Sequence, residues 1–315
     1  MAAGRSRSRG AFVYDVAASG DDDGVAQSTF APGIVALALL AGCADAPPWS
    51  EPTWRPDKAP QRVVAASVLA AESLFGVLSA DRLAGAHMFT ADPGYCLVAD
   101  LADEVPLVGA APEQLLSVEP DLVLVDAYTR PETFALLSLA GVPVVRTIDP
   151  HSFADIEHNL RTIGRVTHLE DELAPVIAKM QRQLRLIEDL GEELPNWRIL
   201  SLDGALHTYG AGSLFDVVAR AAGVTNVAAE RGVDLFRKLD IEEVLAWRPD
   251  AVVLSGEPGQ EPPAWLAQFP GLDMLSCVER GRLLFVPGPL LTTTSHHLAD
   301  VAAHVQRQLK EWGSP

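Results

Sequence analysis

The 315-residue chain has few cysteines, few basic residues and no apolar run long enough to cross a membrane. Its three cysteines can form no more than one disulfide bond. Its 24 lysines and arginines are outnumbered by 42 aspartates and glutamates, so the net charge is −18. Such a surface repels the phosphates of nucleic acid, which we therefore exclude as a partner.

The chain also lacks the short motifs that carry common enzyme chemistry. It has no G-x-S-x-G nucleophile elbow, because Ser213 follows Gly212 directly. It contains no H-E-x-x-H, no paired C-x-x-C and no phosphate-binding G-x-x-x-x-G-K. We therefore expect no catalytic residues, and a two-domain α/β enzyme of unknown chemistry stays as an alternative.

What the chain does contain is an internal repeat. Residues 112–126 read PEQLLSVEPDLVLVD, and residues 241–255 read IEEVLAWRPDAVVLS. In each copy a glutamate (Glu113 or Glu242) precedes an apolar turn, a Pro-Asp pair and a four-residue apolar run. Proline ends the helix, and an apolar run without polar alternation is typical of a strand buried on both faces of a parallel sheet.

Two further pairs of similar segments flank this repeat in the same order along the chain. They are residues 62–67 and 72–78, which resemble 198–203 and 212–218, and residues 142–147 and 153–160, which resemble 282–287 and 298–305. The shared order predicts an α/β fold of two similar βα sandwich lobes with central parallel sheets. We expect a ligand cleft between the two lobes.

A single long helix is predicted between the lobes. Apolar residues recur at three- and four-residue steps from Leu169 to Leu190, and Gly191 predicts the end of the helix. Pro175 predicts a kink or a delayed start. The predicted divisions of the chain are a signal peptide (1–42, its true start left open), a proline-rich tether (43–60), an N-terminal lobe (61–168), the linking helix (169–192) and a C-terminal lobe (193–315). Strands of the first lobe are expected at 63–66, 83–86, 122–125 and 144–147.

The segment Leu40-Ala41-Gly42-Cys43 follows an apolar run and resembles a bacterial lipobox. The resemblance implies that Cys43 carries the lipid and that the protein is an exported lipoprotein, periplasmic or at the cell surface. It would then meet the membrane only through this anchor. Export implies an oxidising compartment, in which Cys96 and Cys277 either pair or stay as buried free thiols; the spacing leaves both open.

The repeated E-x-[LV]-L-x-x-x-P-D pattern, the segment YGAGSL (209–214) and the segment AGVTNV (222–227) together resemble one class of ABC-importer substrate-binding proteins. This class includes the vitamin B12, siderophore and haem receptors, and the resemblance covers residues 61–310. It implies a monomer that binds a corrinoid, a ferric siderophore or haem as cargo, with no intrinsic cofactor, and delivers it to the importer's permease subunits. In this class one acidic residue on each lobe docks on the permease, and the matching residues are Glu113 and Glu242.

Candidate ligand contacts are expected in the loops that follow the strands. They are His87, Phe89, Tyr128, Arg130, His207, Phe236 and Arg237. The resemblance to B12-binding members implies aromatic contacts at Phe89, His207 and Phe236, although Leu107 stands where that class has a tryptophan. His207 is a possible axial ligand of iron or cobalt, and the two arginines suit carboxylates of the ligand.

A receptor for a bare zinc or manganese ion is the alternative within the same architecture. Imidazole and carboxylate side chains suit these ions. The residues available for such a site are His87, Asp126, His151, His207 and Glu257.

Overall fold

The computed structural model describes residues 55–103, 105–191 and 194–315. The predicted signal peptide, most of the tether and Cys43 lie outside these ranges. The described residues belong to one compact unit. Among them, no helix is both long enough and apolar enough to cross a membrane.

Five parallel strands form the first sheet. They are β1 (Val63–Ala65), β2 (Leu83–His87), β3 (Leu107–Val108), β4 (Leu122–Val125) and β5 (Val144–Arg146), in the order β3-β2-β1-β4-β5. Every residue of β1 and β4 is buried, as expected for strands covered on both faces. Four strands lie within a residue of their predicted positions. The sequence analysis missed β3, because two residues are too short to show a periodic pattern.

Four helices accompany this sheet, and together they form the first lobe. They are α1 (Val68–Leu74), α2 (Pro112–Ser117), α3 (Pro131–Leu139) and α4 (Phe153–Thr167). The serine that precedes α1 and the serine that precedes α4 each accept a hydrogen bond from an amide of the first turn. These caps explain why both helices begin directly after the loop that leaves a strand.

The second lobe is built on a four-stranded parallel sheet and a two-stranded antiparallel ribbon. In chain order the strands are β6 (Arg198–Ser201), β7 (His207–Tyr209), β8 (Thr225–Asn226), β9 (Phe236–Lys238), β10 (Ala251–Ser255) and β11 (Leu283–Val286). The parallel sheet has the order β11-β10-β6-β8, and β7 pairs with β9 in the ribbon. His207, Phe236 and Arg237 were expected in loops, and the ribbon corrects that expectation.

The long linking helix α5 spans Glu170–Gly191. Its 22 residues extend for about 33 Å. The end at Gly191 is confirmed, whereas the helix runs through Pro175 without a delayed start. Its buried side chains, Leu173 and Ile177 among them, join an apolar core that contains residues of both parallel sheets. The two lobes are thus packed against one shared helix rather than joined by a loose linker.

The remaining helices belong to the second lobe. They are α6 (Leu214–Ala221), α7 (Val227–Glu230), α8 (Ile241–Trp247), α9 (Ser276–Glu279), α10 (Gly288–Thr292) and α11 (Leu298–Trp312). Helix α11 packs along α5, as α4 does from the first lobe. Both lobes therefore hold the linking helix between equivalent C-terminal helices.

The two copies of the sequence repeat make equivalent hydrogen bonds in the two lobes. The carboxylate of Asp121 accepts from the amides of Gln61 and Arg62 just before β1, at 2.7 and 2.8 Å. In the second lobe the carboxylate of Asp250 accepts from the amide of Arg198 at the start of β6, at 2.9 Å. The aspartate of each Pro-Asp pair thus fastens the start of the neighbouring strand.

The two remaining cysteines are buried free thiols. Burial raises the pKa of Cys96 and the pKa of Cys277 to about 11. Cys277 lies in the apolar core of the second lobe, whereas Cys96 contacts Glu72 of α1. The pairing left open by the sequence is therefore not formed.

Candidate functional site

A cavity of about 290 Å³ lies between the two lobes. The first lobe contributes His87, Phe89, Tyr95, Asp126, Tyr128 and Asp149 to its wall. The second lobe contributes Thr292 and Thr294. The first-lobe residues follow β2, β4 and β5, so the cavity sits at the carboxyl edge of a parallel sheet, where ligands of open α/β folds bind.

One wall of the cavity is aromatic. The ring centroid of Phe89 lies 5.0 Å from that of His87 and 5.1 Å from that of Tyr95. His87 ends β2, and its Nδ1 atom accepts a hydrogen bond from the amide of Phe89 at 3.3 Å. Burial lowers the pKa of His87, although the negative charge of Asp126 acts in the opposite direction. The imidazole is therefore neutral at pH 7 and carries its proton on Nε2.

Another part of the wall is acidic. Asp126 follows β4 and accepts from the amide of Tyr128 and the hydroxyl of Thr129, at 3.1 and 2.9 Å. Asp149 follows β5 and accepts from the hydroxyl of Tyr128 at 2.7 Å. Burial, the hydrogen bond to Asp149 and the charges of both carboxylates raise the pKa of Tyr128 to about 12. The phenol thus stays protonated and acts as a hydrogen-bond donor.

The second lobe reaches the cavity through the last residue of α10 and the extended segment that follows it. The hydroxyl of Thr292 donates to the carbonyl of Tyr95 at 2.9 Å, and Thr294 also lines the cavity. The alternate residues Thr293 and Ser295 point away, and their hydroxyls donate to Oε2 of the buried Glu72 at 2.6 and 2.7 Å. One segment thus supplies a cavity wall and fastens it to the first lobe.

Glu72 is the residue near the site that the sequence analysis missed. Its side chain is only 3% exposed, and its Oε1 atom also accepts from the amide of Leu97 at 3.2 Å. The available signal was the one charged residue of the short helix α1, since buried charged residues are rare unless they have partners.

A second polar contact between the lobes lies beside the acidic wall. Nδ1 of His151 lies 3.0 Å from the carbonyl oxygen of Gly212, and Nε2 lies 3.8 Å from Oδ2 of Asp149. Since Asp149 also holds Tyr128, a chain of polar contacts runs from the cavity wall to the second lobe.

The structure brings together three of the seven candidate ligand contacts: His87, Phe89 and Tyr128. The other four do not line the cavity. Arg130 is exposed at the start of α3, and His207 lies in β7 with Nδ1 3.0 Å from Oδ2 of Asp203.

The last two candidates lie in the ribbon strand β9. Phe236 is 59% exposed. Arg237 donates to Oε1 of Glu243 at 2.9 Å, and its guanidinium lies 5.9 Å from the ring centroid of Trp247. The arginine is thus engaged within its own lobe rather than directed into the cavity.

Glu113 and Glu242 occupy matching positions, each as the second residue of its helix, α2 or α8, and both are exposed. The next residue in each helix bonds to the backbone instead. Gln114 accepts from the amide of Gly109 at 2.7 Å, and Glu243 accepts from the amide of Asp240 at 3.1 Å. Glu243 thus completes the capping box of α8, and Gln114 holds the loop that precedes α2, while the exposed Glu113 and Glu242 are left for another partner.

Within the described ranges, no three histidine, cysteine, aspartate or glutamate side chains are grouped closely enough to hold a metal ion. The residues proposed for a bare zinc or manganese ion are thus dispersed. The alternative of an ion receptor gains no support from these residues.

The sequence matches a family described as periplasmic binding protein over residues 72–288. Because this match covers more than half of the chain, the protein belongs to the periplasmic binding protein family. No curated protein matches the sequence.

Solved structures share the fold over about four fifths of this chain. The periplasmic heme-binding protein RhuT from Roseiflexus sp. RS-1 in apo form is 22% identical, with a TM-score of 0.67 over 79% of this chain and 99% of that one. The heme-binding protein BhuT in complex with two hemes is 23% identical, with a TM-score of 0.68 over 81% and 99%. The vitamin B12 binding protein BtuF of Vibrio cholerae is 18% identical, with a TM-score of 0.66 over 80% and 97%. At these identities the similarity establishes the fold.

Proposed function

We propose that this protein is an exported lipoprotein that captures a metal chelate between its lobes and delivers it to an ABC importer. The observation that carries the proposal is the aromatic cavity at the junction of the lobes. Solved proteins with the same fold are named for binding haem or vitamin B12, which supports a corrinoid, a ferric siderophore or haem as the cargo.

Capture requires surface complementarity and no bond-breaking chemistry. The rings of Phe89, Tyr95 and Tyr128 offer flat apolar faces, which suit a large amphipathic ligand. Nε2 of His87 and the hydroxyls of the two threonines add directional polar contacts. A volume of about 290 Å³ is at the small end for ligand sites, so part of a macrocyclic chelate would extend beyond the cavity. Arg130, His207, Phe236 and Arg237 are retained as contacts for that outer part.

Delivery would use the two exposed glutamates. Glu113 and Glu242 lie at helix starts, where the partial positive charge of the helix favours a carboxylate. Each helix directly precedes a strand of its parallel sheet, β4 or β10, and this matched position supports a common docking rim for the two residues. Charge complementarity at such a rim sets the orientation of docking on a permease. The lipid on Cys43 would keep the protein near that permease.

The test is a titration of the purified protein with haemin, aquocobalamin and a ferric trihydroxamate, followed by absorption and tryptophan fluorescence. We expect saturable one-to-one binding of one of them. Phe89→Ala should weaken it about tenfold, since stacked aromatic contacts contribute 0.5–1.5 kcal/mol beyond the buried area. Leu139→Ala is the control, because Leu139 is 83% exposed and lies outside the cavity. If none of these chelates binds, the proposed function is wrong.

A further inference from the structure

The charges on the cavity wall restrict the cargo. Two carboxylates, those of Asp126 and Asp149, line the cavity. Among the described residues that form the wall, none is a lysine or an arginine. His87 is the one lining group that could carry a positive charge, and burial lowers its pKa.

Two nearby arginines lie outside the cavity wall and bond to other groups. Arg146 ends β5, donates to the carbonyl of Thr129 at 2.9 Å, and lies 5.3 Å from the ring centroid of Phe134, outside the cavity wall. Arg237 is paired with Glu243. The chain as a whole has a net charge of −18, so the surroundings reinforce the negative potential.

The two carboxylates are also held in place. Hydrogen bonds with Tyr128 and Thr129 fix them on the wall, so they cannot turn away from an arriving ligand. A fixed charge in a partly enclosed site acts more strongly than one in open solvent. An anionic group brought into the cavity would therefore meet repulsion that no lining residue relieves.

We infer that the cavity selects metal chelates that are neutral or positively charged and discriminates against chelates that present carboxylates or a net negative charge to it. This inference rests on the proposed function and specifies the cargo of the same site. Uncharged or cationic ferric hydroxamates and cationic corrinoids belong to the favoured class. Tris-catecholate iron complexes, and haem inserted with its propionates inward, belong to the disfavoured class.

The test uses one chelate scaffold at three charges. Ferric linear trihydroxamate with a free terminal amine has a charge of +1, its N-acetyl form is neutral, and its N-succinyl form has a charge of −1. We expect affinity for the purified full-length protein to fall in that order, by about tenfold between the first and the last. The difference should shrink as salt rises, since salt screens charges. Cyanocobalamin and its monocarboxylate form provide a second matched pair.

Two conservative variants locate the effect. Asp149→Asn keeps an oxygen for the hydroxyl of Tyr128, and Asp126→Asn keeps one for Thr129, so each removes only a charge. Either should lower the preference for the positive over the negative chelate several-fold. Glu279→Gln, at the end of the short helix α9 and away from the cavity, removes the same charge and should leave the preference unchanged.

The outcomes separate the two proposals. Binding that is equal across the charge series, or tighter for the negative member, overturns the inference about charge and leaves the proposed function standing. The inference about charge is also overturned if haemin is the only chelate that binds and its propionates are required for binding. If neither scaffold nor haemin binds, the proposed function itself fails.

Discussion

At the scale of single residues, Glu72 connects the fold to the site. Its carboxyl group receives two hydroxyls from the second lobe and one amide from the first, all within 3.2 Å. The hydroxyls belong to Thr293 and Ser295, and the residues that alternate with them, Thr292 and Thr294, line the cavity. The position of the second-lobe wall therefore depends on a residue that does not itself line the cavity.

We expect Glu72→Ala to lower the free energy of unfolding by about 3 kcal/mol, because two buried hydroxyls and one partly buried amide lose their acceptor. Chemical denaturation measures this change. Ligand affinity should fall as well, because the wall formed by Thr292 and Thr294 loses its fastening. Leu173→Ala in α5 is the control: it should destabilise by about 2–5 kcal/mol and leave affinity intact. An unchanged affinity in the Glu72 variant would show that its role is confined to stability.

His296 gives the stability a dependence on pH. Its Nδ1 atom is buried without a hydrogen-bond partner among the described residues. Burial first, and then the charge of His297, lower the pKa of His296 to about 4. The unfolded state binds the proton near pH 6.5, so between about pH 6.5 and 4 it holds more protons than the folded state. Stability should therefore fall with decreasing pH across that window.

The loss attributable to this histidine is up to about 3 kcal/mol, at about 1.4 kcal/mol per pH unit. His296→Gln should flatten the curve of unfolding free energy against pH in the same window, measured by urea denaturation. The carboxylates that titrate there are common to both proteins, so the difference between the curves isolates His296. Parallel curves would contradict this explanation.

At the scale of elements, adjacent residues at the start of α2 and of α8 have different roles. Glu243 completes the capping of α8, and the hydrogen bond from the amide of Asp240, followed by the pairing with Arg237, lowers the pKa of Glu243. Glu242 next to it remains exposed. In α2, Gln114 instead bonds to the amide of Gly109 in the preceding loop, and Glu113 next to it is exposed.

This division predicts opposite phenotypes for neighbouring substitutions. Glu243→Ala should lower stability by about 1 kcal/mol and leave transport unaffected. Glu113→Ala combined with Glu242→Ala should leave stability and ligand affinity intact and abolish uptake in cells that express the importer. Uptake is measured with labelled chelate. Uptake by the double variant at the wild-type rate would show that these glutamates do not dock.

At the scale of the whole molecule, the packing limits how far the lobes can separate. Helix α5 lies between α4 and α11, and the apolar core is continuous across both sheets. The contacts of His151 with Gly212 and of Thr292 with Tyr95 add polar contacts between the lobes. A large hinge opening would break these polar contacts and disturb the shared core.

We therefore expect ligand binding to change the radius of gyration by no more than about 1 Å, as measured by small-angle X-ray scattering, because packed interfaces shift by small displacements. His151→Ala should accelerate ligand release and leave the radius unchanged. A contraction of several ångströms on binding would show that the shared helix acts as a hinge.

The amino-acid sequence alone was sufficient for the duplicated architecture, the buried strands and the long helix. These depend on local periodicity and on helix-ending pairs such as Pro120-Asp121, and both can be recognised from residues that are neighbours in the chain. It was not sufficient for the ribbon of β7 and β9, because that pairing joins segments too short to show a pattern. The second function of the Pro-Asp pairs, to fasten β1 and β6, also depends on residues distant in the chain.

Only the tertiary structure decided which of the candidate ligand contacts share a cavity. Position after a strand applies equally to His87 and His207, yet one lines the cavity and the other pairs with Asp203. The same holds for charge: arginines in nearby loops suggested a site for carboxylates, whereas folding leaves Asp126 and Asp149 on the wall. Which side chains converge is determined by packing between lobes, and no local pattern in the chain encodes that packing.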